Sequence, residues 1–111
     1  MDLGCFSLSL AVADINASRA FYETLGFKVI DGAEEQRFMV MKNGDSKIGL
    51  FQGMFTDNMM TFNPPNVRQV QSALKGAGYS IEKEAKDGVG AAHVAVKDPD
   101  GNLILLDQFE D

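Results

Sequence analysis

The stretch Val12-Ala13-Asp14-Ile15-Asn16-Ala17-Ser18-Arg19-Ala20-Phe21-Tyr22-Glu23-Thr24-Leu25-Gly26-Phe27 fits a strand exit, a helix marked at both ends and a strand entry into one short run. Asp14 and Asn16 offer side-chain oxygens to the free N–H groups of a first helical turn. Ala17, Ala20, Phe21 and Leu25 fall at helical spacing on one face. Gly26 tolerates the left-handed conformation that stops a helix. Upstream, Phe6, Leu8, Leu10 and Val12 alternate with Ser7, Ser9 and Ala11, the period of a half-buried strand over 5–13. Downstream, strand-like runs cover 27–30, 37–42 and 47–52, separated by Asp31-Gly32 and by Asn43-Gly44-Asp45, both good turn formers. The order over 5–52 is therefore β-α-β-β-β.

Residues 58–108 repeat it. A strand-like run over 58–62 meets Asn63-Pro64-Pro65-Asn66, where the prolines stop the strand and Asn66 caps a helix. Val67, Val70, Leu74 and Ala77 line one helical face, and Gly78-Tyr79 follows as Gly26-Phe27 did. Strands are expected over 79–84, 91–97 and 102–109, with Asp98-Pro99-Asp100-Gly101-Asn102 turning between the last two. A module with one helix covers one sheet face and leaves the other open. Two such modules are expected to pair around a cleft, in a single α+β domain spanning 1–111 with a curved mixed sheet.

Composition narrows the classes of function. The 111 residues are 45% hydrophobic and 23% charged, the balance of a folded chain long enough to hold a core without metal or disulfides. Ten Lys and Arg against sixteen Asp and Glu give a net charge of −6, and the basic residues are scattered in sequence, which speaks against nucleic acid as a partner. No apolar run approaches the roughly 18 residues of a membrane span, and the opening residues carry no positive n-region, so a cytoplasmic location is expected. Cys5 is the single cysteine and forms no internal disulfide. Asp98 to Asn102 lacks the Gly and Glu spacing of an EF-hand calcium loop and reads as a turn.

The stretch 12–27 resembles the opening of the vicinal oxygen chelate superfamily, and Asp98-Pro99-Asp100-Gly101-Asn102-Leu103-Ile104 resembles its closing motif. That group includes glyoxalase I, extradiol dioxygenases and the bleomycin and fosfomycin resistance proteins. The resemblance covers the whole chain as two β-α-β-β-β modules, about 5–52 and 58–108, with an inward Phe21-Tyr22 pair on the first helix. It implies a divalent cation held by four side chains, one from the first and one from the last strand of each module. Those positions fall on Ser7, on Gly49, on Asn58 or Met59 according to register, and on Leu105. Hard cations want several carboxylate or carbonyl oxygens, and zinc or nickel want imidazole, thiolate or carboxylate. This set offers none of them, so neither a catalytic metal nor another cofactor is expected, and no catalytic residue is assigned.

The remaining candidates are polar groups on the same sheet face and apolar walls. If the closing hairpin pairs Lys97 with Leu103, then Ala95 faces Leu105 and the only histidine, His93, faces Asp107, all on the face that carries the implied metal position. An imidazole oriented by a carboxylate recognises a polar ligand atom or acts as a base near neutral pH. Met39, Met41, Met54, Met59 and Met60 with Phe38, Phe51, Phe55 and Phe62 gather in the middle strands and the linker, and such side chains make adaptable walls. The expected site is thus His93, Asp107, Ser7, Asn58, Phe51, Met39 and Leu105, holding a small, partly apolar molecule in a homodimer. The alternative is an enzyme, a glyoxalase-like lyase or isomerase or a dioxygenase relative.

Overall fold

A computed structural model describes residues 1–110. In chain order the elements are β1 (Cys5–Ala11), α1 (Ile15–Thr24), β2 (Lys28–Ala33), β3 (Phe38–Asn43), β4 (Ser46–Phe51), β5 (Met59–Asn63), α2 (Val67–Gly76), β6 (Ala92–Lys97) and β7 (Leu103–Gln108), with a single 3-10 turn over Glu34–Gln36. They fall into two compact units, Ser7–Asn58 on one side and Met1–Phe6 with the residues from Met59 onward on the other. The first two residues of β1 therefore belong with the second unit, where the Phe6 ring meets that of Phe62 at 5.2 Å.

In the first unit the strand order is β2-β3-β4-β1. The β2–β3 and β3–β4 pairs are antiparallel, and β4–β1 is parallel. The Asp14 carboxylate accepts the N–H groups of Asn16 and Ala17 at 3.1 Å and so starts α1. Gly26, with φ +95°, ends it, as the sequence indicates, because that backbone conformation strains any side chain with a Cβ. The inward face of α1 differs from the expected one. Ile15 is 2% exposed and Tyr22 packs beside it, whereas Phe21 and Leu25 are 61% and 56% exposed and Ala17 and Ala20 lie outside. Counting from Ile15, just after the cap, sets the stripe at 15, 18, 19 and 22; counting from Ala17 rotates it away from the sheet. Met39, Met41, Ile48 and Leu50 complete this core, with Leu10, Val12 and Phe27 against it.

In the second unit the order is β5-β7-β6, with β5–β7 parallel and β7–β6 antiparallel. The Asn66 side chain accepts the Gln69 N–H and starts α2, whose Val67 and Val70 are buried with Val94, Val96 and Leu106. The strand expected over 79–84 is not formed. That segment touches β6 through one bridge, Lys83 to Ala95, in which Glu82 and Lys83 donate to the Ala95 carbonyl and Ala95 donates back to Lys83. Ile81 and Ala85 reach the core but Tyr79 is 56% exposed, so the run lacks the alternating buried face that fixes a longer ladder.

The two units share one device that positions helix against sheet. Gln52, just past β4, accepts the Ile15 N–H at 3.0 Å through Oε1, and Gln108, the last residue of β7, accepts the Val67 N–H at 3.0 Å in the same way. Each glutamine satisfies a first-turn amide that the helix cannot satisfy itself.

Candidate functional site

Strand register sorts the side chains on the sheet face turned away from each helix. In the first unit Met39, Met41, Ile48 and Leu50 point to α1, so their neighbours along β3 and β4 point the other way. Three rows result. The first runs Lys28, Lys42, Lys47, and the same register extended by one residue adds Ser7. The second runs Asp31, Val40, Gly49, Ser9, with a bulge between Val29 and Asp31 keeping Asp31 on this face. The third runs Ala33, Phe38, Phe51, Ala11. Phe38 and Phe51 stack with ring centroids 6.1 Å apart and planes 14° from parallel, and Phe55 lies 5.1 Å from Phe51. All three rings are half-buried and stand outside the core under α1.

The second unit carries the same lattice with other chemistry. Its rows are Lys97, Leu103, Met59; then Ala95, Leu105, Thr61; then His93, Asp107, Asn63, again extending the β5 register by one residue at each end. Matching Ser9–Gly49 to Thr61–Leu105 sets Ser7 against Met59, Phe38 against His93 and Phe51 against Asp107. Where one unit stacks two rings, the other sets an imidazole opposite a carboxylate. The assumed pairing of Lys97 with Leu103 is the observed one, and His93 faces Asp107 across the ladder. His93 is exposed and Asp107 half-buried, and Asn63 Nδ2 donates to the Asp107 carbonyl at 2.9 Å. Burial pushes the Asp107 carboxyl above its ordinary value, and the charge of the His93 side chain draws it partly back.

The cation that the resemblance implies can be tested against these positions. The register match assigns the third of them to Met59, not Asn58. Asn58 precedes β5, and its Oδ1 is engaged by the Ala11 N–H at 2.9 Å. A hydroxyl, a hydrogen, a thioether and an isobutyl group at Ser7, Gly49, Met59 and Leu105 supply no carboxylate, imidazole or thiolate. Gly49 is also obstructed, since a Cβ there would stand 2.5 Å from Cε2 of the Phe51 ring. Among the described residues no three of His, Cys, Asp and Glu form a group that could hold a metal ion. The residues present do not fit the group.

Ser7, Phe51, Leu105, His93 and Asp107 thus lie on the faces turned away from the helices. Met39 does not. It is 2% exposed and belongs to the core under α1, because in β3 the odd-numbered positions face the helix. Met41 shares that fate, and Phe62 packs against the core under α2. A depression of about 280 Å³ in the second unit, lined by Asp2, Cys5, Asn63, Pro64, Phe109 and Glu110 among others, contains none of the expected site residues. The lysine row was missed in the sequence because it needs the register of three strands. Part of the signal was there: Lys42 and Lys47 flank Asn43-Gly44-Asp45-Ser46 symmetrically, which is how cross-strand neighbours stand about a tight turn.

Comparison with known proteins agrees with this architecture. Residues 5–106 match the model of the Glyoxalase/Bleomycin resistance protein/Dioxygenase superfamily, and the chain belongs to that family. None of the curated proteins compared with it matches. Among solved structures it is similar to a superfamily member from Vibrio splendidus 12B01, at 18% identity and a TM-score of 0.71 over 93% of this chain and 97% of that one. It is similar to a protein described as NAD-dependent benzaldehyde dehydrogenase from Legionella pneumophila, at 14% and 0.78 over 95% and 99%. It is also similar to methylmalonyl-CoA epimerase from Mycobacterium tuberculosis, at 14% and 0.69 over 100% and 93%. At these identities the likeness is one of fold. No helix among the described residues is long and apolar enough to cross a membrane.

Proposed function

We propose that this chain is a small-molecule-binding member of its superfamily that works without a catalytic metal and takes a small, partly apolar ligand. One observation carries the reading. The Phe51 ring stands over Gly49, at one of the positions where the family places a metal ligand, and joins Phe38 and Phe55 in a half-buried aromatic group. A site whose donors are replaced by apolar surface gains affinity by burying carbon, at about 25 cal/mol per Å² removed from water. Titration with Zn²⁺, Ni²⁺ and Mn²⁺ is expected to show no stoichiometric binding. Near one metal per chain, lost in Ser7→Ala or Leu105→Ala, would overturn it. Native mass spectrometry of protein purified from its own host is expected to reveal a bound organic molecule.

The opposition of His93 and Asp107 favours a second reading, a metal-free isomerase in which His93 moves a proton. Turnover lost in His93→Ala but kept in Phe51→Leu would establish it over the first. In either case a homodimer is proposed, with light scattering at micromolar concentration as its test.

A further inference from the structure

The first row of the Ser7–Asn58 unit sets three like charges side by side, and neither core nor turn requires them. Lys28 pairs with Lys42 and Lys42 with Lys47 across three adjacent strands, all on the face turned away from α1. Like charges directly opposite each other in a sheet destabilise it. Among the described residues none of the three is within ion-pair distance of a carboxylate. On and beside these strands, Asp31, one row away, turns its Oδ1 to the Gly32 N–H, and Asp45 lies in the β3–β4 turn. In a chain of net charge −6 this is a local concentration of positive charge. On the same two strands, four residues further along β4, lies the Phe38–Phe51 stack, with only Val40 and Gly49 between. At about 3.3 Å per residue the separation is roughly 13 Å, less what a lysine stem reaches back.

We infer that this face binds an amphipathic organic anion, its carboxylate, phosphate or sulfonate held by Lys28, Lys42 and Lys47 and its ring or hydrocarbon body laid against the half-buried Phe51 ring. The Phe51 ring, seated over Gly49, gives that body an apolar floor, and an anion offsets the repulsion among the lysines. The inference rests on the proposed function for the apolar half of the ligand and adds the charged half.

Anilinonaphthalene sulfonate and the neutral N-phenyl naphthylamine share a ring body and differ in charge, so fluorescence titration with both separates the two halves. The sulfonate is expected to bind about tenfold more tightly than the neutral probe, the scale of one or two charge-assisted hydrogen bonds. In Lys42→Gln/Lys47→Gln that advantage disappears, while Lys86→Gln, which changes net charge elsewhere, keeps it. Phe51→Leu weakens both probes. Both lysines lie off the core, and thermal melts of each variant verify the fold; if the double variant melts early, Lys42→Gln alone carries the test. A sulfonate affinity that does not change in the lysine variants, or that falls equally in Lys86→Gln, overturns the anion site but leaves the apolar reading intact. Loss of neither probe in Phe51→Leu, or no binding of either to the native protein, overturns both.

Discussion

The ring of Phe51 fills the space that a side chain on Gly49 would enter, with Cε2 2.5 Å from where its Cβ would stand. The ring cannot swing aside freely, because Phe38 stacks on it and Phe55 packs against it. Gly49→Ala is therefore expected to destabilise the fold by about 1 to 2 kcal/mol in urea denaturation, the usual cost of overpacking. Phe51→Leu should recover part of that loss in the double variant, and strict additivity of the two changes would show that ring and glycine are not coupled.

Gln108 is 7% exposed, and its Oε1 is the partner of the Val67 amide at the start of α2. Gln108→Met keeps the volume and removes the acceptor, leaving a buried N–H without a bond. A loss of about 1 to 3 kcal/mol is expected, with the far-ultraviolet signal of the folded state unchanged. An equal loss in Gln52→Met, the counterpart in the first unit, would show that the device is equivalent in both.

Asp107 binds its proton more tightly in the folded chain than an ordinary carboxylate does. Its ionisation therefore costs stability, and that cost is relieved as pH falls from neutral through its raised folded range. Asp107→Asn fixes the neutral form. The variant should melt above the native protein at pH 7, and the gap should close in acid; a variant that melts lower at pH 7 would contradict the burial argument.

Asp98 has the opposite sign. Hydrogen bonds from the Asn102 amide, first from its side chain and then from its backbone, hold the carboxyl below its ordinary value, with the Asp100 and Gly101 N–H groups adding to them. The stabilisation is present above the ordinary carboxylate range and is lost as pH falls through the lowered value. Asp98→Ala should lower the melting temperature at neutral pH, and the difference should vanish in acid. A difference that persists there would assign the effect to backbone geometry instead.

The order of elements was legible because its signals are local. Asp14, Gly26, Asn66 and the turn at Asn43-Gly44 act within a few residues of themselves, and the parity of the closing hairpin followed from one short turn. What was not legible depends on contacts distant in sequence. The choice of Tyr22 over Phe21 as the inward ring follows from how α1 sits on β4, and the burial of Met39 follows from pairing with Leu50. The run over 79–84 has strand-like residues but only one bridge to pair with. The lysine row needed β2, β3 and β4 in register at once, including a bulge that single-strand periodicity does not reveal.

The seating of Phe51 over Gly49 also ties the two positions together, so that neither can change its chemistry alone without cost. A substitution that brings an imidazole or carboxylate to position 49 collides with the ring before it can meet a cation, so by itself it carries a folding penalty and returns no activity. Shrinking residue 51 first removes the collision but dismantles the aromatic stack. A donor at position 49 thus meets a folding cost whichever of the two residues changes first, and a four-ligand cation site would need new donors at Ser7, Met59 and Leu105 besides.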